Sequence, residues 1–306
     1  MKRKNTFWLL IIAIVIGAVT YMTVTSKSSN GPAKGGVHIV AAENFWGNIA
    51  AQIGDGHVQV TNVVSDPNAD PHEFASNTNT ARDFAHAQYV ILNGAGYDSW
   101  GDALIKAQPE SGRTELKVAD LVGKKDGDNP HLWYNPEYVQ QAADRIAADL
   151  SRIDPAHASI YKYNLETFKK SWNEYRDELA TVKKFHGGAK IAATEDIFAY
   201  TAQAVGFDVI TPPSFMQAVA ESNDPPTESI AAFQRQLQNK EASVLVYNQQ
   251  AATPLTESLK KLATDNNIPV IGITETMPAS AKSFQAWMAA QLEAIHNSIS
   301  KEDHLG

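Results

Sequence analysis

Short, apolar, β-rich runs alternate with helical segments in two separate blocks of this chain. The strand-like runs of the first block are 37–42, 58–64 and 89–94, and those of the second are 190–195, 243–248 and 269–275. Nearly continuous apolar strands that alternate with helices are typical of parallel sheets covered on both faces. The sequence therefore predicts an α/β protein of two lobes, each with a mainly parallel sheet flanked by helices.

A helical stripe separates the two blocks. Its apolar residues recur at alternating spacings of four and three, and they are Tyr161, Leu165, Phe168, Trp172, Tyr175, Leu179 and Val182. Asp154 with Pro155 is a favourable helix start, and the two glycines after His186 are a favourable stop. The pattern predicts a helix of roughly 30 residues and about 45 Å, which would join both lobes rigidly. A coiled coil is the alternative, but aromatic residues dominate the stripe.

The N-terminus predicts export. Lys2, Arg3 and Lys4 precede an uncharged apolar run at 7–25, which is typical of a secretory signal or a membrane anchor. The run lacks a clear A-x-A cleavage site, which favours an uncleaved anchor. A Ser/Gly/Lys linker at 26–36 would then hold the remaining chain at the outer face of the cell membrane. Cleavage would give a secreted form instead.

These features divide the chain into six predicted parts. They are a cytoplasmic basic stub at 1–6, the signal or anchor at 7–25, the linker at 26–36, an N-terminal α/β lobe at 37–135, a helical connector at 136–187 and a C-terminal α/β lobe at 188–306. The connector contains the long helix. We expect a monomer.

Composition excludes several classes of function. The net charge of −8 offers no basic face to a nucleic acid. The chain contains no cysteine, which in an exported protein excludes disulfides, thiolate metal ligands and a lipid-bearing cysteine. Any metal ion must therefore bind nitrogen and oxygen donors, and any membrane attachment must come from the apolar run.

Residues that can bind a metal ion follow several predicted strands. His72 lies in "SDPNADPHEF" after the second strand, and His131 lies in "NPHLWYNPEYV" among prolines and aromatic rings. Glu195 and Glu275 end two strands of the second block. Taken singly, each is more often a solvated or hydrogen-bonded side chain. Because ligands bind at the carboxyl ends of strands in such sheets, a cleft between the lobes would gather all four.

The motifs resemble those of a known family. The segments "AAENFWGNIAAQIG", "SDPNADPHEF", "NPHLWYNPEYV", "ATEDIFAYTAQAVGF" and "IPVIGITETMPASAKSFQAWMAAQLEAI" are similar, in this order, to solute-binding proteins of zinc and manganese ABC transporters of the ZnuA/TroA type. The resemblance runs from about Val37 to Ile299. It implies two α/β lobes joined by one backbone helix, one divalent ion in the cleft, and delivery of that ion to a cognate permease and ATPase.

The resemblance also implies a ligand set. Family members use two histidines, a third ligand that is histidine or glutamate, and a fourth carboxylate that is commonly aspartate. The matching positions are His72, His131, Glu195 and Glu275. The longer glutamate at the fourth position leaves Asp196 and Asp224 as alternatives. The His-rich loop of many zinc members and the lipid-bearing cysteine of Gram-positive members are missing.

Two neutral imidazoles and two carboxylates form a charge-neutral set for a divalent cation. The set suits Zn²⁺ as a tetrahedron, and it suits Mn²⁺ if a carboxylate binds through both oxygens. Calcium is disfavoured because imidazole is a poor ligand for it. We expect zinc first and manganese next. Protons compete for the imidazoles, so binding should weaken steeply below about pH 6.

Other functions are less well supported by the sequence. No H-E-x-x-H or G-x-S-x-G motif is present, and "GAGYDS" begins like a dinucleotide-binding loop but has Ser99 in place of the third glycine. We therefore expect no catalysis. A surface adhesin and a binding protein for a metal chelate, such as a siderophore or haem, remain alternatives. A chelate would need a roomy cleft with basic or aromatic lining.

Overall fold

The strands form two parallel sheets of the same topology. The computed structural model describes residues 35–67, 71, 74–110 and 112–303. The strands are β1 (Val37–Glu43), β2 (Val58–Val64), β3 (Tyr89–Leu92), β4 (Thr114–Lys117), β5 (Lys190–Ala193), β6 (Asp208–Val209), β7 (Val244–Asn248) and β8 (Val270–Ile273). Their order is β2-β1-β3-β4 in the first sheet and β6-β5-β7-β8 in the second, and all pairings are parallel.

Helices cover both sheets, which confirms the predicted fold class. They are α1 (Asn44–Gly54), α2 (Thr78–His86), α3 (Ser99–Ala107), α4 (Val118–Leu121), α5 (Pro136–Ile153), α6 (Ala158–His186), α7 (Ala199–Val205), α8 (Pro213–Ala220), α9 (Thr227–Gln238), α10 (Pro254–Asp265) and α11 (Phe284–Asp303). We call the first sheet with α1–α4 the first lobe, and the second sheet with α7–α10 the second lobe. Nothing in the structure tests the six predicted boundaries, which stay predictions.

Each sheet is buried on both faces, which explains why its strands are almost continuously apolar. In β1, Ile39 and Ala41 belong to the main core, whereas Val40 and Ala42 belong to a smaller core beneath α2 and α3. In the second sheet, Leu245 likewise packs into a separate outer core. The main core contains residues of both sheets and of α6, so the two lobes share one apolar interior.

The helix α6 joins the lobes, as the stripe predicts. All seven predicted apolar positions are buried. The helix packs against α1 and α5 on one side and against α7 and α11 on the other. It has 29 residues, or about 44 Å at 1.5 Å per residue. It ends at His186, with Gly187 as its C-cap, as predicted.

The long helix begins at Pro155, as predicted, but its first turn is a 3-10 turn. Pro155–His157 forms a separate 3-10 turn, and the α-helix begins at Ala158. The side chain of Asp154 caps no backbone N–H. Its Oδ2 instead accepts a hydrogen bond of 2.7 Å from the hydroxyl of Tyr161 and lies 2.7 Å from Nδ1 of His157. Aspartate before proline favours a turn as well as a helix start, and here a 3-10 turn precedes the α-helix in the chain.

The topology directs the loops that carry the predicted donors. In the first sheet, the connection after β1 leads to one edge and the connection after β3 leads to the other edge. In the second sheet, the connections after β5 and β7 diverge in the same way. Ligands of such sheets bind outside the carboxyl ends of the strands at this point.

The predicted basic stub, apolar run and nearly all of the linker lie outside the described residues, and so does His72. Within the described ranges, no helix is both long enough and apolar enough to cross a membrane.

Candidate metal centre

Three of the four predicted donors meet between the two sheets. One donor atom each from His131, Glu195 and Glu275 lies within 4.8 Å of the others. Their side chains are buried, with 0%, 2% and 0% of each residue exposed. Nε2 of His131 lies 3.8 Å from Oε2 of Glu275. Because His72 is outside the described residues, its place as the fourth donor stays a prediction.

The ring of His131 is oriented by its neighbours. Its Nδ1 lies 2.9 Å from Oδ1 of Asn129, which also accepts the backbone N–H of His131 at 2.9 Å. The same Nδ1 lies 3.3 Å from Oδ1 of Asp196. The Asn129 acceptor and the nearby negative charge of Asp196 favour the tautomer that carries its proton on Nδ1. That tautomer leaves Nε2, which faces Glu275, with a lone pair that a metal ion could bind.

The loop before His131 is tied to both lobes. The amide nitrogen of Asn93, next to β3, donates to the carbonyl of Pro130 at 2.8 Å. From the second lobe, the hydroxyl of Tyr200 donates to the carbonyl of Asn129 at 2.9 Å. The side-chain amide of Asn129 also donates to the carbonyl of Asp196 at 2.8 Å. This framing explains why a residue outside any strand or α-helix can hold one imidazole in a fixed position.

The two glutamates follow strand ends and share one amide. Glu195 and Glu275 each lie two residues beyond the last residue of β5 and β8. The side-chain nitrogen of Asn248, the last residue of β7, donates to Oε1 of Glu195 and, at 2.7 Å, to Oε1 of Glu275. Oε1 of Gln250 accepts the backbone N–H of Glu275 at 2.7 Å. Three neighbouring strands of the second sheet therefore position both carboxylates.

A loop of the first lobe reaches the same carboxylate. The hydroxyl of Tyr97 donates to Oε2 of Glu275 at 2.7 Å. The turn before Tyr97 needs glycine at position 94, where φ is +79° and a Cβ atom would lie 2.6 Å from the side chain of Lys117. Oxygens of Asp98 accept the backbone N–H groups of Asn93 and Gly94 and hold this turn closed. The turn in the "GAGYDS" segment thus places Tyr97 in contact with Glu275.

The two alternative carboxylates lie elsewhere. Asp196 faces Nδ1 of His131, the ring nitrogen opposite the one that faces Glu275. Asp224 lines a cavity of about 1090 Å³ between the lobes, together with Asp66 and Gln250. Neither belongs to the cluster that the geometry assembles. The structure therefore brings Glu275, and neither aspartate, to the other two donors.

The close carboxylates give the cluster its electrostatic character. Two ionised carboxylates at this separation in a protein interior repel one another unless a proton or a cation lies between them. The amide of Asn248 and the hydroxyl of Tyr97 donate hydrogen bonds but carry no net charge. The arrangement therefore suits a small divalent cation, and the imidazole of His131 adds a neutral nitrogen donor.

A second pair of buried acids lies in the first lobe. Glu43, at the end of β1, is 1% exposed, and its carboxyl group lies close to that of Asp98. Burial, with a further contribution from the charge of nearby Asp98, raises the pKa of Glu43 well above its usual value. Burial also raises the pKa of Asp98 to about 6, against the opposing effect of its backbone hydrogen bonds. One or both acids therefore hold a proton under mildly acidic conditions.

Sequence reasoning missed the residues that orient the donors. Asn248 ends a predicted strand, as the two glutamates do, so the same rule could have found it, but an amide is not a common transition-metal ligand. Tyr97 carried no signal beyond its glycine-rich turn. Asn129 lies two residues before His131, and its side chain contacts were not evident from that spacing.

Comparison with known proteins identifies the family. The chain belongs to the family described as "Zinc-uptake complex component A periplasmic", whose model matches residues 39–298. It is 23% identical over 322 residues to the "Metal ABC transporter substrate-binding lipoprotein ScbA" of Streptococcus cristatus, covering 98% of this chain and 100% of that protein. It is 24% identical over 329 residues to the "Manganese ABC transporter substrate-binding lipoprotein PsaA" of Streptococcus mitis, with coverage of 98% and 100%. The resemblance seen in the motifs is thereby confirmed.

A solved structure shares the fold. The structure of the SBP FpvC from Pseudomonas aeruginosa in complex with Mn²⁺ has a TM-score of 0.72 and 16% sequence identity. The match covers 87% of this chain and 99% of that chain. At this identity the similarity shows the fold alone, and it agrees with two parallel sheets joined by one long helix.

Proposed function

We propose that this protein captures a divalent transition-metal ion outside the cytoplasm and delivers it to an ABC permease and its ATPase. One observation carries the proposal. His131, Glu195 and Glu275 come from distant parts of the chain, yet one donor atom of each lies within 4.8 Å of the others, and all three are buried. Membership of a metal-uptake family supports the same conclusion. His72, whose motif follows β2 in the sequence, would complete the set as the fourth donor.

We place Zn²⁺ first and Mn²⁺ next as the captured ion. Two imidazoles and one oxygen from each glutamate would give four donors, the number that a tetrahedral zinc ion takes. Zinc also binds mixed nitrogen and oxygen sites more tightly than manganese does. The relatives named for manganese make Mn²⁺ the competing assignment. The full burial of the donors argues against a bulky chelate such as haem.

We propose that the protein works at the outer face of the cell membrane. The relatives named above are lipoproteins, and lipoproteins are held by a modified cysteine. This chain has no cysteine, so the apolar run at 7–25 would serve as the anchor. The captured ion would then stay close to the permease that receives it.

Metal analysis tests capture directly. The full-length protein, purified in mild detergent, is stripped with a chelator and reloaded with Zn²⁺ or Mn²⁺, and its bound metal is measured by mass spectrometry. We expect one ion per chain for the wild type and for Asp224→Asn, which changes a cavity residue outside the cluster. His131→Ala with Glu275→Gln should lose the ion. Equal metal content in this double variant and the wild type would overturn the proposal.

Uptake by cells tests delivery. Cells that lack this protein should accumulate less radioactive zinc or manganese from medium in which the metal is scarce. Wild-type protein should restore accumulation, and the His131→Ala variant should not, because one of the buried donors is gone. Normal accumulation without the protein would contradict a role in delivery.

A further inference from the structure

We propose that Asn248 sets the preference of the site between zinc and manganese by holding one oxygen of each carboxylate. This inference rests on the proposed function, since it names a residue that selects among the ions captured. Asn248 is not one of the predicted ligands. It is 1% exposed and is the last residue of β7, between the strands that carry the two glutamates.

The orientation of the Asn248 amide is fixed at both ends. Its Oδ1 accepts the backbone N–H of Gln250 at 3.0 Å, which directs the nitrogen end towards the carboxylates. The backbone N–H of Asn248 donates to Oγ1 of Thr194 at 3.1 Å, so the main chain is also held. A flipped amide would place its oxygen against two carboxylate oxygens and its nitrogen against an N–H group. The contacts at both ends therefore support the same assignment.

The two hydrogens of this amide nitrogen have separate acceptors. One is Oε1 of Glu195 and the other is Oε1 of Glu275, which lies 2.7 Å away. Both Oε1 atoms therefore accept hydrogen bonds from the same nitrogen, which makes them less available to bind an ion. Oε2 of Glu275, which accepts the hydroxyl of Tyr97 at 2.7 Å, is the oxygen that faces Nε2 of His131, at 3.8 Å. This geometry favours binding of the ion by one oxygen per carboxylate.

The number of oxygens available decides which ion fits. With His72 as the proposed fourth donor, one oxygen from each glutamate and two imidazole nitrogens would satisfy tetrahedral Zn²⁺. Mn²⁺ prefers more oxygen donors, and here it would need a carboxylate to bind through both oxygens. Such binding competes with the hydrogen bonds from Asn248. Removing the amide should therefore favour Mn²⁺ relative to Zn²⁺.

The test compares two ions in matched variants. Dissociation constants for Zn²⁺ and Mn²⁺ are measured by competition with a metal-binding dye for the wild type, Asn248→Ala and Thr211→Val. Thr211 is 1% exposed and accepts the backbone N–H of Ala193 in the same sheet, and neither glutamate is its hydrogen-bond partner. We expect Asn248→Ala to shift the ratio of the two constants roughly tenfold or more towards Mn²⁺, within the range known for residues that orient metal ligands. Thr211→Val should keep the wild-type ratio.

A spectroscopic measurement separates selection from simple damage. Co²⁺ replaces either ion and absorbs visible light strongly when it is four-coordinate and weakly when it has five or six ligands. We expect strong absorption in the wild type and in Thr211→Val, and a loss of intensity in Asn248→Ala. An Asn248→Ser variant, whose hydroxyl can donate to only one carboxylate, should give an intermediate ratio and intensity. It also serves as the test if the alanine variant does not fold.

The outcomes distinguish the two proposals. Equal weakening of both ions in Asn248→Ala and Asn248→Ser, with an unchanged Co²⁺ spectrum, would show a merely structural role and overturn this inference. Wild-type protein that binds neither ion would instead overturn the proposed function. A ratio that moves towards Mn²⁺ together with a weaker Co²⁺ spectrum supports selection by Asn248.

Discussion

The donors of the cluster are oriented mainly by neutral amides. Asn129 holds the ring of His131, and Asn248 holds both carboxylates. Neutral donors and acceptors fix geometry without cancelling the negative charge of the carboxylates. That charge therefore remains available to a cation, whereas arginine or lysine in the same places would compete with it.

Loss of the Asn129 amide should weaken metal binding without unfolding the protein. Asn129→Ala removes the oxygen that lies 2.9 Å from Nδ1 of His131, whereas the nearest Asp196 oxygen lies farther away, at 3.3 Å. We expect affinity for Zn²⁺ to fall roughly 10- to 100-fold, as is usual when the residue that orients a metal-binding histidine is removed. Titration calorimetry measures the change, with the exposed Asn239→Ala as control. Wild-type affinity in Asn129→Ala would show that the ring needs no such support.

The buried acids of the first lobe should make stability depend on pH. The pKa values of Glu43 and Asp98 are raised in the folded protein, so the folded state binds their protons more tightly than the unfolded state does. Their contribution is most favourable below the ordinary carboxyl pKa of about 4. For Asp98 it is lost as the pH rises to about 6, and for Glu43 the loss continues to higher pH.

Glu43→Gln should reduce the dependence of the free energy of unfolding on pH. Urea unfolding of chelator-treated protein at pH 4.5 and pH 7.5 gives the two free energies of unfolding. We expect the variant to lose less stability than the wild type between these pH values, because an amide replaces the buried acid. Glu241→Gln, at an exposed position, should behave as the wild type does. An undiminished loss in Glu43→Gln would mean that the buried pair does not govern the pH dependence.

At the scale of elements, the backbone helix and the strands were the most predictable features. Burial on both faces makes the central strands largely apolar, and the single buried face of α6 gives its stripe. Both patterns arise from local geometry and can be found without tertiary knowledge. The 3-10 form of the first turn, Pro155–His157, was not predicted, because Asp154 and Pro155 suit a turn and an α-helix start equally well.

The side chain of Trp172 anchors α6 between the lobes. It is fully buried, stacks on Tyr175 at a ring distance of 4.6 Å, and donates to the carbonyl of Pro136 at 3.0 Å. We expect Trp172→Ala to lower the free energy of unfolding by about 3–5 kcal/mol. Tyr163 lies on the same helix but is 73% exposed, so Tyr163→Ala should change stability by less than about 0.5 kcal/mol. Denaturant unfolding of both variants checks the contrast, and similar losses would contradict it.

The site was predictable to the extent that it follows strand ends. Glu195 and Glu275 were found because the carboxyl ends of parallel strands meet at one edge. The contacts of Asn129, Tyr97 and Asn248 depend on side-chain directions and turn geometry that no local pattern encodes. Their identification needed the three-dimensional structure.

At the scale of the whole molecule, the lobes share one apolar core, and polar contacts join them near the cluster. The side chain of Asn44, on α1, donates to the carbonyl of Met277 at 2.8 Å and accepts its backbone N–H at 3.0 Å. Met277 follows Glu275 by two residues. Because the donors are buried, an ion can leave only after contacts of this kind open. We therefore expect release to be slow unless the permease promotes it.

Asn44→Ala should speed the release of the ion. It removes two hydrogen bonds to the loop that carries Glu275, each worth about 1 kcal/mol, so a release rate roughly 30-fold higher is expected. Stopped-flow mixing of zinc-loaded protein with excess chelator measures this rate. Gln217→Ala, in a helix of the second lobe, is the control. Equal rates in Asn44→Ala and the wild type would show that this contact does not limit opening.

The central claim is that donors from both halves of the chain hold one ion between the two sheets. Anomalous X-ray diffraction at the zinc absorption edge, from crystals of zinc-loaded protein, tests it most directly. We predict one strong peak at about 2.0–2.2 Å from donor atoms of His131, Glu195, Glu275 and His72. A strong peak elsewhere, or none within bonding distance of His131, would contradict the account.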